Sequence, residues 1–154
     1  MTRKVLLDTN LLIAAFDTNG TTSPEMKTMA INQLSALISE ADAQLFITPL
    51  VRYEVLRGIA WQSVDDFLEM KEVLNQFPEL DVTRDVSELS ANLFRFDGHQ
   101  ALQQNALKRN LDKRKFDVFH YCSAHCNGLE FCSNDSDISK IRTLHTAYET
   151  ALAS

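Results

Sequence analysis

The stretch that decides the fold is Lys4-Val5-Leu6-Leu7-Asp8-Thr9-Asn10-Leu11-Leu12-Ile13. Its apolar run has the length of a short buried strand, and Asp8 closes that run. Apolar positions then resume at helical spacing, so a helix is predicted over residues 11–16 with Thr9 or Asn10 as its cap. Ligands of parallel α/β sheets collect beyond the carboxyl ends of strands, which is where this pattern puts Asp8.

The rest of the chain alternates strands and helices in the same way. Further strands are predicted at 44–48, 79–82 and 129–133. Further helices are predicted at 23–38, 49–56, 64–77, 86–96, 100–110 and 116–126, with a break at Asp97-Gly98 and an ending at Asn127-Gly128. Residues 142–154 fit either a strand or a helix. Strands separated by helices predict an α/β sandwich around a mainly parallel sheet.

Composition predicts one ordinary globular domain over residues 1–154, with 45% hydrophobic and 23% charged residues. The formal charge of −6 is unusual for a nucleic-acid binder, although metal-binding acids lower the net charge while a local basic face persists. The first apolar run is too short for a signal peptide, and no later run approaches membrane-spanning length. We therefore expect a cytoplasmic protein without membrane association.

The cysteines raise the question of a zinc site. There are three of them, an odd number that argues against a disulfide framework. Cys122 and Cys126 are four residues apart with His125 between them. No CxxC pair is present to complete a tetrahedral site, so apolar packing is the preferred interpretation of both cysteines.

Acidic residues at four separate places indicate the chemistry. Besides Asp8, they are Glu54 in the helix after the second strand, Asp117 after a basic run, and Asp135 with Asp137 after the last strand. Carboxylates that converge repel one another and stay ionised when a cation such as Mg²⁺ or Mn²⁺ lies among them. A metal held in this way commonly acts on phosphate esters.

The chain resembles the PIN-domain ribonucleases, in particular the small VapC-type toxins of toxin–antitoxin pairs. The resemblance runs from Val5 to about Ile141. Four motifs carry it in the family's order: Leu7-Asp8-Thr9-Asn10, Tyr53-Glu54-Val55-Leu56, Phe116-Asp117-Val118-Phe119 and Ser133-Asn134-Asp135-Ser136-Asp137. It implies a PIN-like three-layer α/β/α sandwich around a mainly parallel sheet of four or five strands.

The resemblance also implies a metal-dependent endoribonuclease that inhibits translation by cutting RNA such as tRNA or rRNA. Asp8, Asp117 and Asp135 would be the inner ligands of Mg²⁺, with Mn²⁺ able to replace it, while Glu54 would bind a second ion or a bridging water and Asp137 would assist. The expected partners are an RNA substrate, a cognate antitoxin that inserts an arginine into the acidic pocket, and a second copy of the chain. The surfaces suggested for that homodimer are residues 26–38 and 64–77.

Basic and polar residues near the acids are further candidates. The candidate phosphate-binding residues are Lys108, Arg109, Lys113, Arg114 and Lys115 ahead of Asp117, and Arg52 and Arg57 beside Glu54. Such a charge run also fits an ordinary solvated face. Thr9, Asn10 and Ser133 are auxiliary candidates that either orient a ligand or water, or merely cap a helix and shape a turn.

Alternative interpretations remain at this stage. Taken singly, Asp8 and Asp117 fit helix caps, Glu54 fits a solvated helix residue, and Asp135 with Asp137 fits an ordinary turn. A phosphatase like the haloacid dehalogenases also has an aspartate after its first strand, but it needs a second acid where this chain has Asn10. A non-catalytic PIN-like RNA-binding module should have lost at least one acid, and none of the four is missing.

Overall fold

The computed structural model describes residues 2–103, 111–133 and 137–154, with the backbone alone at 111–114. Its residues group into two compact units. The first comprises Met1–Asp81 and Gly128–Asn134, and the second comprises Val82–Asn127 and Asp135–Ser154. Strands and helices alternate along the chain, so the predicted α/β class is confirmed.

A parallel sheet forms the centre of the first unit. Its strands are β1 (Arg3–Leu7), β2 (Ala43–Phe46) and β3 (Glu130–Cys132), in the order β2-β1-β3. Both pairings of β1 are parallel, and Val5 lies opposite Leu45 on one side and Glu130 on the other. Because β1 is central, its last three residues are fully buried. The chain therefore leaves the middle of the sheet directly at Asp8.

The sheet has three strands in the described ranges, and the prediction of four or five strands is wrong for this part of the chain. The strand predicted at 79–82 is reduced to a single parallel bridge between Ile47 and Glu79. Two backbone hydrogen bonds hold it, from Ile47 N to Pro78 O at 3.0 Å and from Leu80 N to Ile47 O at 2.9 Å. Residues 79–82 bury no side chain completely, so little apolar burial supports a longer pairing.

Helices α1 (Thr9–Phe16), α2 (Pro24–Ser39), α3 (Pro49–Arg57) and α4 (Val64–Leu74) complete the first unit. The helix cap predicted at Thr9 or Asn10 is wrong by one residue, because Asp8 occupies the N-cap position. The start of α3 agrees with the prediction: the Thr48 hydroxyl accepts a hydrogen bond from Val51 N at 3.2 Å, and Pro49 follows. This cap fixes where α3 begins and hence where Glu54 lies along it.

The second unit consists of helices α5 (Arg84–Gln103), α6 (Leu111–Cys126) and α7 (Asp137–Ala153). The break predicted at Asp97-Gly98 is wrong, since α5 runs through both residues. A glycine inside a helix costs about 1 kcal/mol relative to alanine. That cost is offset because buried Val86 and Leu93 anchor the same long helix. The rest of the helix predicted at 100–110 lies outside the described residues from position 104 onward.

The ends of α6 and α7 refine the predictions around the acids. Helix α6 begins at Leu111, five residues before the predicted start, so Asp117 lies within the helix body. It ends at Cys126 as predicted, and Gly128 has the left-handed φ of 67°. Residues 142–153 continue α7, which resolves the ambiguity there in favour of a helix. No helix in the described ranges combines the length and apolarity needed to cross a membrane.

Candidate active site

Asp8 is held by two strands at the carboxyl edge of the sheet. Its backbone N–H donates to Cys132 O at 3.0 Å, which ties the end of β1 to the end of β3. The residue is 1% exposed, and its Oδ2 accepts a hydrogen bond of 2.6 Å from the Ser133 hydroxyl. The carboxylate makes no capping hydrogen bond to α1, although Asp8 occupies the N-cap position. The sequence-based alternative of a simple helix cap is therefore not what the geometry shows.

Glu54 is held by the residue that follows Asp8. The Thr9 hydroxyl donates to Glu54 Oε1 at 3.1 Å, and Thr9 itself is buried. The Glu54 side chain is 13% exposed, and Arg57 Nη2 on the next turn lies 3.8 Å from its Oε2. Glu54 is thus an anchored acid and not a solvated helix residue. Thr9 begins α1 and contacts Glu54, whereas Asn10 is exposed on the same helix.

The donor set of the first unit fits a hard divalent cation. Asp8 and Glu54 offer carboxylate oxygens, which suit Mg²⁺ or Mn²⁺ better than softer metals. The Ser133 and Thr9 hydroxyls hold one oxygen of each carboxylate in place. Removing a carboxylate from water is costly unless a positive charge compensates. Buried Asp8 and anchored Glu54 therefore offer oxygen ligands that fit such an ion at this edge of the sheet.

Two more predicted acids lie in the second unit. Asp117 is buried in the body of α6, which makes a capping role impossible. Asp137 is the first residue of α7, where the positive end of the helix dipole stabilises its negative charge. Its Oδ1 accepts a hydrogen bond of 3.0 Å from Lys140 Nζ. Asp135 lies outside the described residues, so its predicted role as a ligand stays a prediction.

The predicted basic residues differ in their surroundings. Arg52 forms an ion pair with Glu79, and the Arg57 guanidinium lies 5.3 Å from the centre of the Tyr53 ring while approaching Glu54. Lys115 is exposed, with Nζ at 5.2 Å from the Phe116 ring centre. Lys113 and Arg114 lie on α6, where the structure describes only their backbone. Lys108 and Arg109 lie outside the described residues.

The cysteines do not assemble into a metal site among the described residues. Cys122 is fully buried, and burial raises the pKa of its thiol to about 12. Cys126 is exposed, and the zinc group suggested by the spacing of the two cysteines is not formed. His125 instead faces His145, with ring centres 4.6 Å apart. That pairing was not predictable from the sequence pattern, because residues 142–154 fit either a strand or a helix.

The fold and the site together define a class of protein. It is an α/β protein that buries an aspartate at the carboxyl end of its central parallel strand, with a glutamate anchored beside it. The sequence model of the PIN domain family matches residues 5–144. The chain therefore belongs to the PIN domain family, and the resemblance noted in the sequence is confirmed.

Solved structures share the fold at low sequence identity. VapBC2 from Rickettsia felis bound to a promoter DNA fragment is 14% identical, with 89% of this chain and 92% of that chain covered and a TM-score of 0.61. A toxin–antitoxin complex from Klebsiella pneumoniae is 22% identical, with 86% of this chain and 87% of that chain covered and a TM-score of 0.56. DNA-bound VapBC from Salmonella typhimurium is 14% identical, with 84% of this chain and 83% of that chain covered and a TM-score of 0.50. No curated protein matches the chain.

Proposed function

We propose that the protein is an endoribonuclease that depends on Mg²⁺ or Mn²⁺ and cuts RNA phosphodiester bonds. The observation that carries the proposal is the burial of Asp8 at the carboxyl edge of the sheet, with a carboxylate oxygen bonded to Ser133. Carboxylate oxygens held at this edge of the sheet are the ligands that Mg²⁺ and Mn²⁺ prefer. Membership in the PIN domain family supports nuclease chemistry for such an acidic site.

Each side chain of the first unit has a definite task in this proposal. Ser133 fixes the rotamer of Asp8, and Thr9 holds one oxygen of Glu54, leaving Oε2 as the oxygen that faces Arg57. When bound, Mg²⁺ lowers the pKa of attacking water and stabilises the charge that develops on the phosphate oxygens. Arg57 is half-exposed beside Glu54, where its guanidinium is suited to contact an RNA phosphate.

The motif resemblance suggests further acidic ligands that do not belong to the first unit. Asp117 and Asp135 would be further metal ligands, and Asp137 would assist them. The lysines and arginines at 108, 109 and 113–115, together with Arg52, would contribute phosphate contacts, although the ion pair of Arg52 with Glu79 must then rearrange or be shared. These assignments stay predictions until each side chain is tested by substitution.

A cleavage assay on the purified full chain tests the proposed function directly. We expect labelled total tRNA and ribosomal RNA to be cut internally in Mg²⁺ or Mn²⁺, and the products to disappear when EDTA removes the metal. Adding back Mn²⁺ should restore cleavage, because hard oxygen ligands accept both ions. RNA binding without cleavage would instead identify a non-catalytic module. Hydrolysis of a small phosphomonoester with no cut RNA would identify a phosphatase.

We further propose that the protein is the toxin of a toxin–antitoxin pair. Two solved structures with the same fold are described as VapBC and one as a toxin–antitoxin complex, which supports an antitoxin as partner. An arginine of that partner would pair with the carboxylates of Asp8 and Glu54 through a charge-assisted contact. The adjacent open reading frame distinguishes this role from RNA processing, since a toxin gene should neighbour a short gene for a DNA-binding protein.

We also propose that the chain forms a homodimer through the apolar face of α2. Met26, Met29 and Ile38 are each more than half exposed there, which is costly for a free monomer surface. Light scattering should give twice the chain mass of 17.4 kDa, and Met29→Glu should reduce it to one chain. Leu102→Glu, at an equally exposed apolar position on α5, is the matched control and should leave the mass unchanged. A monomeric wild-type chain would contradict the proposal.

A further inference from the structure

A second group of potential metal ligands lies entirely within the second unit. It contains His125 near the end of α6 together with His145 and Glu149 on α7. One ligand atom from each residue lies within 4.8 Å of the other two. His145 Nε2 is 3.0 Å from Glu149 Oε1, and the two imidazole rings are nearly perpendicular at 87°. Two helices thus present three donors to one point.

The donor types match a borderline transition metal and not Mg²⁺. Two imidazoles and a carboxylate form one of the recurring ligand sets of zinc sites. Tetrahedral bonds of about 2.0–2.1 Å place ligand atoms about 3.3 Å apart. The ligand atoms lie within 4.8 Å of one another, so the exposed side chains of His125 and Glu149 must turn toward His145 to reach that spacing. His145 is only 6% exposed, so its ring is the ligand held in place by surrounding side chains.

Tyr121 provides the outer contact that metal-binding histidines require. Its hydroxyl lies 2.8 Å from His145 Nδ1, while its ring stacks on His125 at 6.1 Å and 12°. A proton on Nε2 would donate to Glu149 across their 3.0 Å contact, and Zn²⁺ would replace that proton while Nδ1–H donates to Tyr121. Burial and the neighbouring His125 lower the pKa of His145, while Glu149 raises it.

The surroundings of the group are favourable to a cation. An open cleft of about 630 Å³ leads to it, and Asp85 and Glu88 of α5 line that cleft together with Cys126. No lysine or arginine is among the residues described as lining it. His125 also lies in the last turn of α6, where the helix dipole is negative. Charge and helix polarity both attract a positive ion to this place.

We propose that His125, His145 and Glu149 form a Zn²⁺ site that joins the end of α6 to α7, with Tyr121 as its outer hydrogen-bonding partner. A fourth position remains for water. The site is distinct from the predicted ligand Asp117, because His125 is eight residues after it, about 12 Å along the axis of α6. It goes beyond the proposed function and does not depend on it.

Zinc binding to the full chain should be measured by titration calorimetry in excess Mg²⁺, which occupies oxygen-only sites. We expect one Zn²⁺ per chain with its affinity lowered tenfold or more in His125→Gln and in Glu149→Gln, both at exposed positions. Tyr121→Phe should lower the affinity by about tenfold, the usual effect of losing an outer partner. Co²⁺ should give the intense visible absorption of tetrahedral coordination, and His125→Gln should abolish it.

His99→Gln is the matched control, since His99 is exposed on α5 and belongs to no ligand group among the described residues. It should bind Zn²⁺ as the wild type does. Asp8→Asn should likewise keep the Zn²⁺ site, which separates this proposal from failure of the nuclease. The proposal is wrong if the wild type takes up no Zn²⁺ in excess Mg²⁺, if His125→Gln binds as tightly as the wild type, or if His99→Gln loses as much affinity.

Discussion

Asp8→Asn is expected to lower metal-dependent RNA cleavage by about 10²–10³-fold or more while the chain stays folded. Asparagine keeps the size of the side chain and one oxygen that can accept from Ser133, but it removes the negative charge. Metal affinity and charge stabilisation in the transition state both depend on that charge. Single-turnover cleavage of labelled RNA across a Mg²⁺ or Mn²⁺ series separates the two effects, since weaker binding alone is recovered at high metal concentration.

Asp65→Asn is the matched control for this substitution. Asp65 is an exposed acid in the first turn of α4, so its loss should change the rate little. Circular dichroism and urea denaturation should show that Asp8→Asn is folded, because neutralising a buried acid relieves the cost of burying its charge. A folded Asp8→Asn chain that cuts RNA at the wild-type rate would refute the assignment.

The central features of the fold were predictable because they depend on local chemistry. The apolar run before Asp8 is buried on both faces, as the middle strand of a parallel sheet requires. The start of α3 follows from Thr48 and Pro49, which are a cap residue and a proline suited to the first turn. The position of Asp8 follows from the end of its strand, and the position of Glu54 follows from the start of α3. Neither position requires knowledge of tertiary contacts.

The incorrect predictions concern elements whose structure is decided by packing. Asp97-Gly98 has the composition of a break, yet α5 continues because Asp97 is itself buried on the same helical face as Val86 and Leu93. The segment at 79–82 has strand-like residues but too little burial to extend the sheet beyond one bridge. Local propensity is a weak preference that such contacts override.

The motifs suggested the candidate site residues, but they did not indicate the contacts among them. Thr9 was expected to cap a helix or to contact metal-bound water, whereas its hydroxyl holds a side chain forty-five positions away. Sequence spacing carries no information about such a contact. The group of His125, His145 and Glu149 was not predicted for a different reason. His145 and Glu149 share a face only if residues 142–154 are helical, which the sequence left open. Their i, i+4 spacing was the signal that could have indicated the contact.

Glu54→Gln is expected to lower the cleavage rate by about 10²-fold, somewhat less than the substitution of Asp8. The amide can still accept from Thr9 but no longer carries a charge for a second cation or a bridging water. Loss of the contact with Arg57 contributes little, since exposed ion pairs are weak. Glu72→Gln, at an exposed position on α4, is the matched control and should cleave RNA as the wild type does.

Thr9→Val tests whether the hydroxyl acts through Glu54. Valine has nearly the same shape but donates no hydrogen bond, so Glu54 Oε1 loses its partner and the carboxylate its fixed orientation. We expect a loss of about tenfold, typical of an outer contact to a metal ligand. If Thr9 works only by orienting this acid, adding Thr9→Val to Glu54→Gln should cost nothing further, because the two residues share one interaction. Fully additive losses would mean that Thr9 contributes to cleavage by a route independent of Glu54.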